Sequence, residues 1–132
     1  MRNILFFTLL TTAMSKPVDP LSGQYWNQLN SSLVLVCSNN QLTGTYQTGV
    51  GNASGVYPLQ GSTTQCQAPA SFGFCVAWNN KDHGNSHSVT CWSGRVIERG
   101  LDTFWILSSD SGPQWSSNCI GQDIFWKSRD GQ

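Results

Sequence analysis

Charge is scarce in this chain. Seven basic and seven acidic side chains give a formal net charge of zero, and charged residues form only 11% of the 132-residue sequence, against about a quarter in an average globular protein. No stripe of Lys or Arg is present of the kind that displaces counterions from nucleic acid, so nucleic acid is not expected as a partner. Aromatic residues reach 11% and charge blocks are absent, which argues against a disordered chain.

Long apolar runs are missing as well. None reaches the roughly 18 residues that cross a membrane as a helix, so no membrane partner is expected. Residues 1–15 combine Arg2, a short apolar segment and a small residue at Ser15, which predicts a secretory signal peptide cleaved after Ser15. The alternative is a buried amino-terminal helix, which the following prolines would not continue. We therefore expect a secreted, extracellular protein with one mature domain over residues 16–132.

What the sequence has instead of helical periodicity is alternation of apolar and polar residues. The alternation is bounded by Gly, Asn, Ser and Pro, and it indicates eight strands. Their predicted bounds are 22–28, 31–37, 41–49, 56–62, 71–79, 86–96, 102–109 and 118–127. Short connections favour an all-β, antiparallel, up-and-down meander, and eight such strands can close into a β-barrel without exposed edges. An open two-sheet sandwich is the structural alternative.

The faces of these strands have an unusual composition. Side chains two residues apart share a face, and the faces that carry large aromatics also carry hydroxyls, amides and one carboxylate, as with Thr90 beside Trp92 and Asp123 beside Phe125. An unpartnered buried polar group costs about 1–3 kcal/mol. These groups therefore satisfy one another, hold water or face a ligand in a small-molecule pocket. Satisfied core groups and outward-facing groups are the alternative interpretation.

The five cysteines fit an oxidising compartment, and their odd number leaves at least one without an intrachain partner. Spacing alone does not determine the connectivity. Cys75 and Cys91 have the same outward parity on neighbouring strands, which favours a disulfide between them. A zinc site that adds His83 and His87 to these cysteines is an alternative, although the paired-cysteine knuckle is absent. Two sequons make Asn30 and Asn52 candidates for glycosylation.

Several segments, taken in order, resemble the avidin/streptavidin family. They extend from about Leu21 to Lys127 and read WNQLNS at 26–31, LTGTY at 42–46, VGNA at 50–53, VAW at 76–78, HSVTCWSG at 87–94, TFWIL at 103–107 and, after the Trp at 115, GQD at 121–123. The resemblance implies an eight-stranded barrel, usually a homotetramer, that binds biotin at one open end. It implies no catalysis and no cofactor, with biotin as a bound ligand that the protein sequesters.

The resemblance also implies which residues recognise the ureido group of biotin. Asn27, Ser31 and Tyr46 match the three groups that donate hydrogen bonds to the ureido oxygen. Asp123 matches the carboxylate that accepts from one ureido N–H, and Thr48 matches the hydroxyl that accepts from the other. A carboxylate opposite three donors polarises the ureido group and strengthens the whole network.

Other positions match the walls, mouth and cap of the family's pocket. Thr90 matches the hydroxyl at the thioether sulfur, and the apolar walls match Leu29, Val50, Trp78, Trp92, Trp105 and Leu107. Asn52, through its backbone N–H, and Ser88 match the groups that hold the biotin carboxylate at the mouth. Trp115 matches the tryptophan that caps the pocket of a neighbouring subunit, which implies self-association.

Two residues depart from the family pattern near these positions. Tyr25 stands where the family generally has Trp, which predicts different packing at the barrel floor. Asn30 replaces the usual Gly between Leu29 and Ser31, which predicts a strained backbone or a different turn.

Other function classes explain the sequence less well. A secreted lectin would also use Trp and amides, but it predicts outward tryptophans and a shallow site. A lipocalin-like carrier of another hydrophobic ligand would not need Asp123 beside so many hydroxyls. An enzyme is disfavoured because His87 and Ser88 are adjacent and face opposite sides of a strand, which is poor geometry for a base and its nucleophile.

Overall fold

The chain folds into a closed barrel of eight antiparallel strands. The computed structural model describes residues 20–50, 55–80, 84–110 and 117–128. Its strands are β1 (Gly23–Asn27), β2 (Ser32–Ser38), β3 (Gln41–Gln47), β4 (Tyr57–Thr63), β5 (Ser71–Asn80), β6 (Gly84–Ile97), β7 (Gly100–Ser109) and β8 (Asn118–Trp126). Each strand pairs with the next, and β8 returns to pair with β1. The predicted meander barrel is confirmed, and the open sandwich is wrong. In the described part of the chain, no helix is long and apolar enough to span a membrane.

Alternation along the strands produces the interior. The inward side chains of the strands form one buried apolar cluster, which includes Leu21, Tyr25, Leu33, Leu35, Leu42, Leu59, Phe72, Phe74, Val76, Leu101 and Phe125. Polar residues are buried in the same interior, namely Asn27, Ser31, Thr90, Thr103 and Asp123. The interior is therefore an apolar core that continues into a polar cluster.

Tyr25 packs at the barrel floor without an unsatisfied hydroxyl. The side chain is 1% exposed, and its Oη donates a hydrogen bond of 2.8 Å to the backbone oxygen of Leu21. The ammonium group of Lys127 lies 5.7 Å from the ring centroid, within the range of a cation–π contact. A Tyr is accommodated at this position because the chain offers its hydroxyl a carbonyl acceptor.

The β5–β6 hairpin is less regular than the sequence predicts. Ala77 pairs with Val89, whereas Asn79 pairs with Asn85, so β6 carries extra residues opposite Trp78. His87 lies in this bulge with φ of 48°. The predicted strand over 86–96 lies within β6, and the bulge, which the alternation did not predict, interrupts its regular pairing at this point.

Both disulfides join elements that the barrel brings together. Cys75 and Cys91 are directly opposite on β5 and β6 with a Cα–Cα distance of 4.1 Å, so the predicted disulfide is confirmed. The disulfide uses both cysteines of the alternative zinc site, so neither is available as a thiolate ligand. A second disulfide joins Cys37 to Cys66 and was not predicted. Cys66 lies between β4 and β5, where strand parity gives no information. Cys119 is a free, exposed cysteine.

Candidate functional site

The turn between β1 and β2 is organised by Asn27. Its Oδ1 accepts hydrogen bonds from the backbone N–H groups of Leu29 (3.0 Å) and Ser31 (2.9 Å), and its backbone oxygen accepts from the N–H of Asn30 (3.1 Å). Because the carbonyl oxygen of the side chain is used by the backbone, the NH₂ group of Asn27 is left to act as a donor.

Asn30, which stands where the family generally has Gly, adopts a backbone conformation that Gly also adopts readily. Its φ of 60° lies in the left-handed region, which Asn adopts more readily than most residues. Close backbone packing lies beside it, because a Cβ on Gly49 would meet the backbone oxygen of Leu29 at 2.5 Å. The N–H of Gly49 also donates to Ser31 Oγ at 3.0 Å. The turn therefore places Ser31 inside the barrel, where it is buried.

Tyr46 lies among these polar groups on β3. The pKa of Tyr46 is raised from 10.0 to about 12, mainly by burial; hydrogen bonds from the Ser31 and Asn27 side chains lower it and the charge of Asp123 raises it. The phenol therefore keeps its proton throughout the neutral range. Asn27, Ser31 and Tyr46 together present donors at one place in the interior.

Asp123 on β8 is a carboxylate buried with partners on both oxygens. It is 5% exposed. Its Oδ2 accepts from the indole Nε1 of Trp92 at 3.0 Å, and its Oδ1 accepts from Nε2 of Gln28 at 2.8 Å. A buried charge needs such partners to offset the loss of hydration. Gln28 was missed by the sequence reasoning, because its parity points outward and a sideways reach to a neighbouring strand leaves no periodic signal.

Aromatic rings form the wall beside this polar cluster. The Trp92 ring stacks on Phe74 with centroids 5.0 Å apart and lies 4.9 Å from the ring of Tyr46. Trp78 meets Tyr46 edge to face at 5.7 Å and Tyr57 at 5.0 Å. Tyr57 and Phe74 were not named as site residues from the sequence, although both support the two tryptophans.

Two further contacts position the tryptophans. Nε1 of Trp78 donates a hydrogen bond of 2.8 Å to Oγ1 of Thr90, which is itself buried. Trp105 on β7 lies opposite Gly121 on β8, where a Cβ would overlap the indole ring. The missing side chain at Gly121 is what allows the Trp105 ring to lie against β8. Leu107 follows on the same face and is half-buried.

The predicted mouth residues are more exposed. Leu29 is 48% and Val50 49% exposed. Thr48 lies just beyond the end of β3, so the predicted strand over 41–49 is too long. Its hydroxyl donates to the backbone oxygen of Val50 at 2.8 Å and lies 3.2 Å from the N–H of Val50. A second lone pair of Thr48 Oγ1 remains available to a ligand N–H.

Ser88 lies at the bulge of β6. Ser86 Oγ donates to the backbone oxygen of Trp78 at 2.7 Å and lies 2.7 Å from Ser88 Oγ. Since the single hydroxyl proton of Ser86 is used by Trp78, Ser88 donates to Ser86. A ligand carboxylate would have to turn the Ser88 hydroxyl toward itself.

Asn52 and Trp115, also predicted from the sequence, lie outside the described residues.

The family model of avidin matches residues 15–128 of the chain. The chain belongs to the avidin family. This match covers all eight strands of the barrel and the elements that carry the polar cluster. Avidin-family proteins bind ligands without catalysis, which agrees with a site built from a donor cluster and an aromatic wall.

Of the residues predicted from the sequence, seven are joined to one another by contacts in the avidin-family barrel, namely Asn27, Ser31, Tyr46, Trp78, Thr90, Trp92 and Asp123. Within the described part of the chain, the buried members of the whole predicted set are Asn27, Ser31, Tyr46, Thr90, Trp92 and Asp123. The half-buried members are Thr48, Trp78, Ser88, Trp105 and Leu107, and the exposed ones are Leu29 and Val50. Of the two glycosylation candidates, Asn30 lies on an exposed turn at this end of the barrel and Asn52 lies outside the described residues.

Proposed function

We propose that this avidin-family barrel binds biotin without chemical change and sequesters it. The observation that carries the proposal is the donor cluster of Asn27, Ser31 and Tyr46 near the buried carboxylate of Asp123. The charge of Asp123 acts on the pKa of Tyr46, so the donors and the carboxylate belong to one electrostatic unit. A ligand that fits carries an acceptor oxygen beside an N–H donor, and a cyclic urea has both.

The aromatic wall supports the same ligand. Trp78 and Trp92 lie with ring centroids 6.5 Å apart in an edge-to-face arrangement, and Thr90 is buried beside them. Such rings provide apolar area for a compact bicyclic ligand, and sulfur makes favourable contacts at aromatic edges. Biotin combines the cyclic urea with a thioether ring, so it uses both halves of the site.

A thermal melt with and without excess biotin tests the proposal. A ligand that binds only the native state stabilises it by RT ln(1 + [L]/Kd), so tight binding raises the midpoint. We expect a large increase for the native chain and a much smaller one for Asp123→Ala. A well-folded native protein whose midpoint does not move would contradict biotin binding. A shift with simple sugars and none with biotin would establish the lectin alternative instead.

Self-association into a homotetramer is part of the proposal. Three apolar side chains are exposed on the outer face of β7 and β8, namely Phe104 (63%), Ile106 (56%) and Ile120 (79%), and Ile106 lies directly opposite Ile120. Monomeric proteins seldom leave such contiguous apolar patches in water. Trp115 is proposed to cap the pocket of a neighbouring copy, and biotin would then dissociate faster from Trp115→Ala.

Sedimentation of two matched variants tests the association. Ile120→Lys places a charge in the apolar face, whereas Val36→Lys places one on β2, where Val36 is 50% exposed. We expect Ile120→Lys to sediment as a smaller species and Val36→Lys to sediment as the native protein does. A native protein that is monomeric at all concentrations would contradict the homotetramer.

Secretion is proposed from the predicted signal peptide over residues 1–15 and from the two disulfides, which form in oxidising compartments. Expression in a eukaryotic cell with amino-terminal sequencing of the secreted product tests it. We expect a first residue of Lys16. Mass measurement of the same product before and after glycosidase treatment tests glycans at Asn30 and Asn52.

A further inference from the structure

The junction between β1 and β8 closes the barrel, and backbone pairing there ends early. β1 meets β8 at Trp26 opposite Trp126 and at Asn27 opposite Phe125. After Asn27 the chain leaves β8 and turns toward β2. The residues of β8 that precede Phe125, namely Ile124, Asp123 and Gln122, therefore have no paired β1 residue beside them. This segment of β8 carries the buried carboxylate.

The side chain of Gln28 occupies the position that β1 leaves. Its Oε1 accepts a hydrogen bond from the backbone N–H of Ile124 at 3.3 Å, and its Nε2 lies 3.4 Å from the backbone oxygen of Gln122. A carboxamide offers the same donor and acceptor as a peptide group. The Gln28 amide therefore continues the β1–β8 ladder by one rung, on either side of Asp123.

The same amide nitrogen reaches the carboxylate. Gln28 Nε2 donates to Asp123 Oδ1 at 2.8 Å, while Trp92 holds Oδ2. With one fixed donor on each oxygen, the plane of the carboxylate is set by Gln28, just after β1, on one side and by Trp92 of β6 on the other. A carboxylate has about four lone-pair sites, so Asp123 can still accept from a ligand N–H in a defined direction.

We propose that Gln28 is a positioning residue, whose amide completes the β1–β8 ladder and orients the carboxylate of Asp123 for the ligand. The inference rests on the proposed function, because the ligand N–H is that of the ureido group. Without Gln28 the carboxylate loses one of its two fixed donors, and it rotates more freely. Biotin then loses preorganised binding energy, chiefly as faster dissociation.

Gln28→Met tests the role, since Met has a similar length without an amide. We expect biotin to dissociate roughly tenfold faster, the order expected for one hydrogen bond to a charged group. The matched control is Gln60→Met on the exposed face of β4, which should dissociate biotin at the native rate. In an Asp123→Ala background, Gln28→Met should add nothing further, because the group it positions is gone.

Gln28→Glu supplies a readout that a purely structural role would not give. A second carboxylate within hydrogen-bonding distance of Asp123 repels it when both are ionised. Tyr46, the other titratable group facing Asp123, keeps its proton in the neutral range. We therefore expect biotin binding by Gln28→Glu to weaken as the pH rises and the introduced carboxyl group ionises, and to weaken more than it does in the native protein.

Two nuclear magnetic resonance signals test Gln28 independently of biotin. In Gln28→Met, the amide proton of Ile124 should exchange faster with solvent, and the indole N–H signal of Trp92 should shift. If the native protein fails to bind biotin while both signals change, the proposed function fails and the orienting role of Gln28 stands. That role would be overturned if Gln28→Met released biotin at the same rate as the native protein, or if both signals stayed unchanged.

Discussion

The indole Nε1 of Trp92 donates a hydrogen bond of 3.0 Å to Oδ2 of Asp123 inside the barrel. The two residues lie on β6 and β8, with β7 between them, so the bond crosses the interior instead of following the sheet. It joins the aromatic wall to the buried carboxylate. A change at either residue is therefore expected to alter both the wall and the polar cluster.

Asp123→Ala removes the acceptor of two donors and, in the proposed function, of one ureido N–H. We expect affinity for biotin to fall by about 2–3 kcal/mol, roughly 30- to 150-fold, because hydrogen bonds to charged groups are among the stronger ones. Calorimetric titration measures the loss. Asp102→Asn is the control, since Asp102 pairs with Arg95 and Gln122 away from the buried cluster. Equal affinity of the native protein and Asp123→Ala would refute the assigned role.

The raised pKa of Tyr46 predicts that the folded protein loses stability at high pH. Its pKa is raised to about 12 in the folded protein, mainly by burial, whereas an unfolded tyrosine titrates near pH 10. Between pH 10 and 12 the unfolded chain therefore releases a proton that the folded chain retains. The free energy of unfolding should decrease by roughly 2–3 kcal/mol across this window, with no effect from Tyr46 below it.

Denaturant unfolding of Tyr46→Phe at pH 9 and pH 12 isolates this contribution. The variant should lose less stability than the native protein between the two values, because Phe has no proton to release. Parallel losses in the two proteins would show that the buried phenol is not responsible.

Gly121→Ala is expected to displace Trp105, since the added Cβ would overlap the indole ring. Forcing an extra carbon into a packed site typically costs about 1–3 kcal/mol of stability, and biotin should dissociate faster as the wall moves. Thermal unfolding and dissociation rates measure the two effects. Gly73→Ala is the matched control, because its Cβ would find its nearest neighbour, the backbone oxygen of Trp92, at 3.4 Å. Similar behaviour of the two variants would contradict the packing of Trp105 on Gly121.

The disulfides are expected to contribute substantially to stability. They join residues separated by 29 and by 16 positions, and loops of this size correspond to about 3 kcal/mol each in the chain-entropy account. Replacing Cys75 and Cys91 together by Ser should lower the free energy of unfolding by that order. Cys119→Ser, at the free and exposed cysteine, should change it by less than about 0.5 kcal/mol.

A thiol titration of the denatured, unreduced protein provides the independent check on the connectivity. One reactive thiol per chain is expected, and peptide mapping should assign it to Cys119. Three reactive thiols would show that one of the two disulfides does not form.

Strand number and strand faces could be predicted from the sequence because alternation is a local property. Parity placed Thr90 with Trp92 and Asp123 with Phe125 on shared faces, and all four residues are buried. The Cys75–Cys91 disulfide followed from the same parity on adjacent strands. Prediction failed where local alternation stops, at the β6 bulge around His87 and in the β4–β5 connection that holds Cys66.

The sequence by itself determined which side chains share a face along the regular parts of the strands and, through its resemblance, the family to which the chain belongs. Only the tertiary structure decided which faces become neighbours. Gln28 and Asp123 are 95 residues apart, and no periodic pattern relates them. They meet because closure of the barrel sets β1 against β8 while their backbone pairing ends at Asn27, which leaves a gap that a side-chain amide fills.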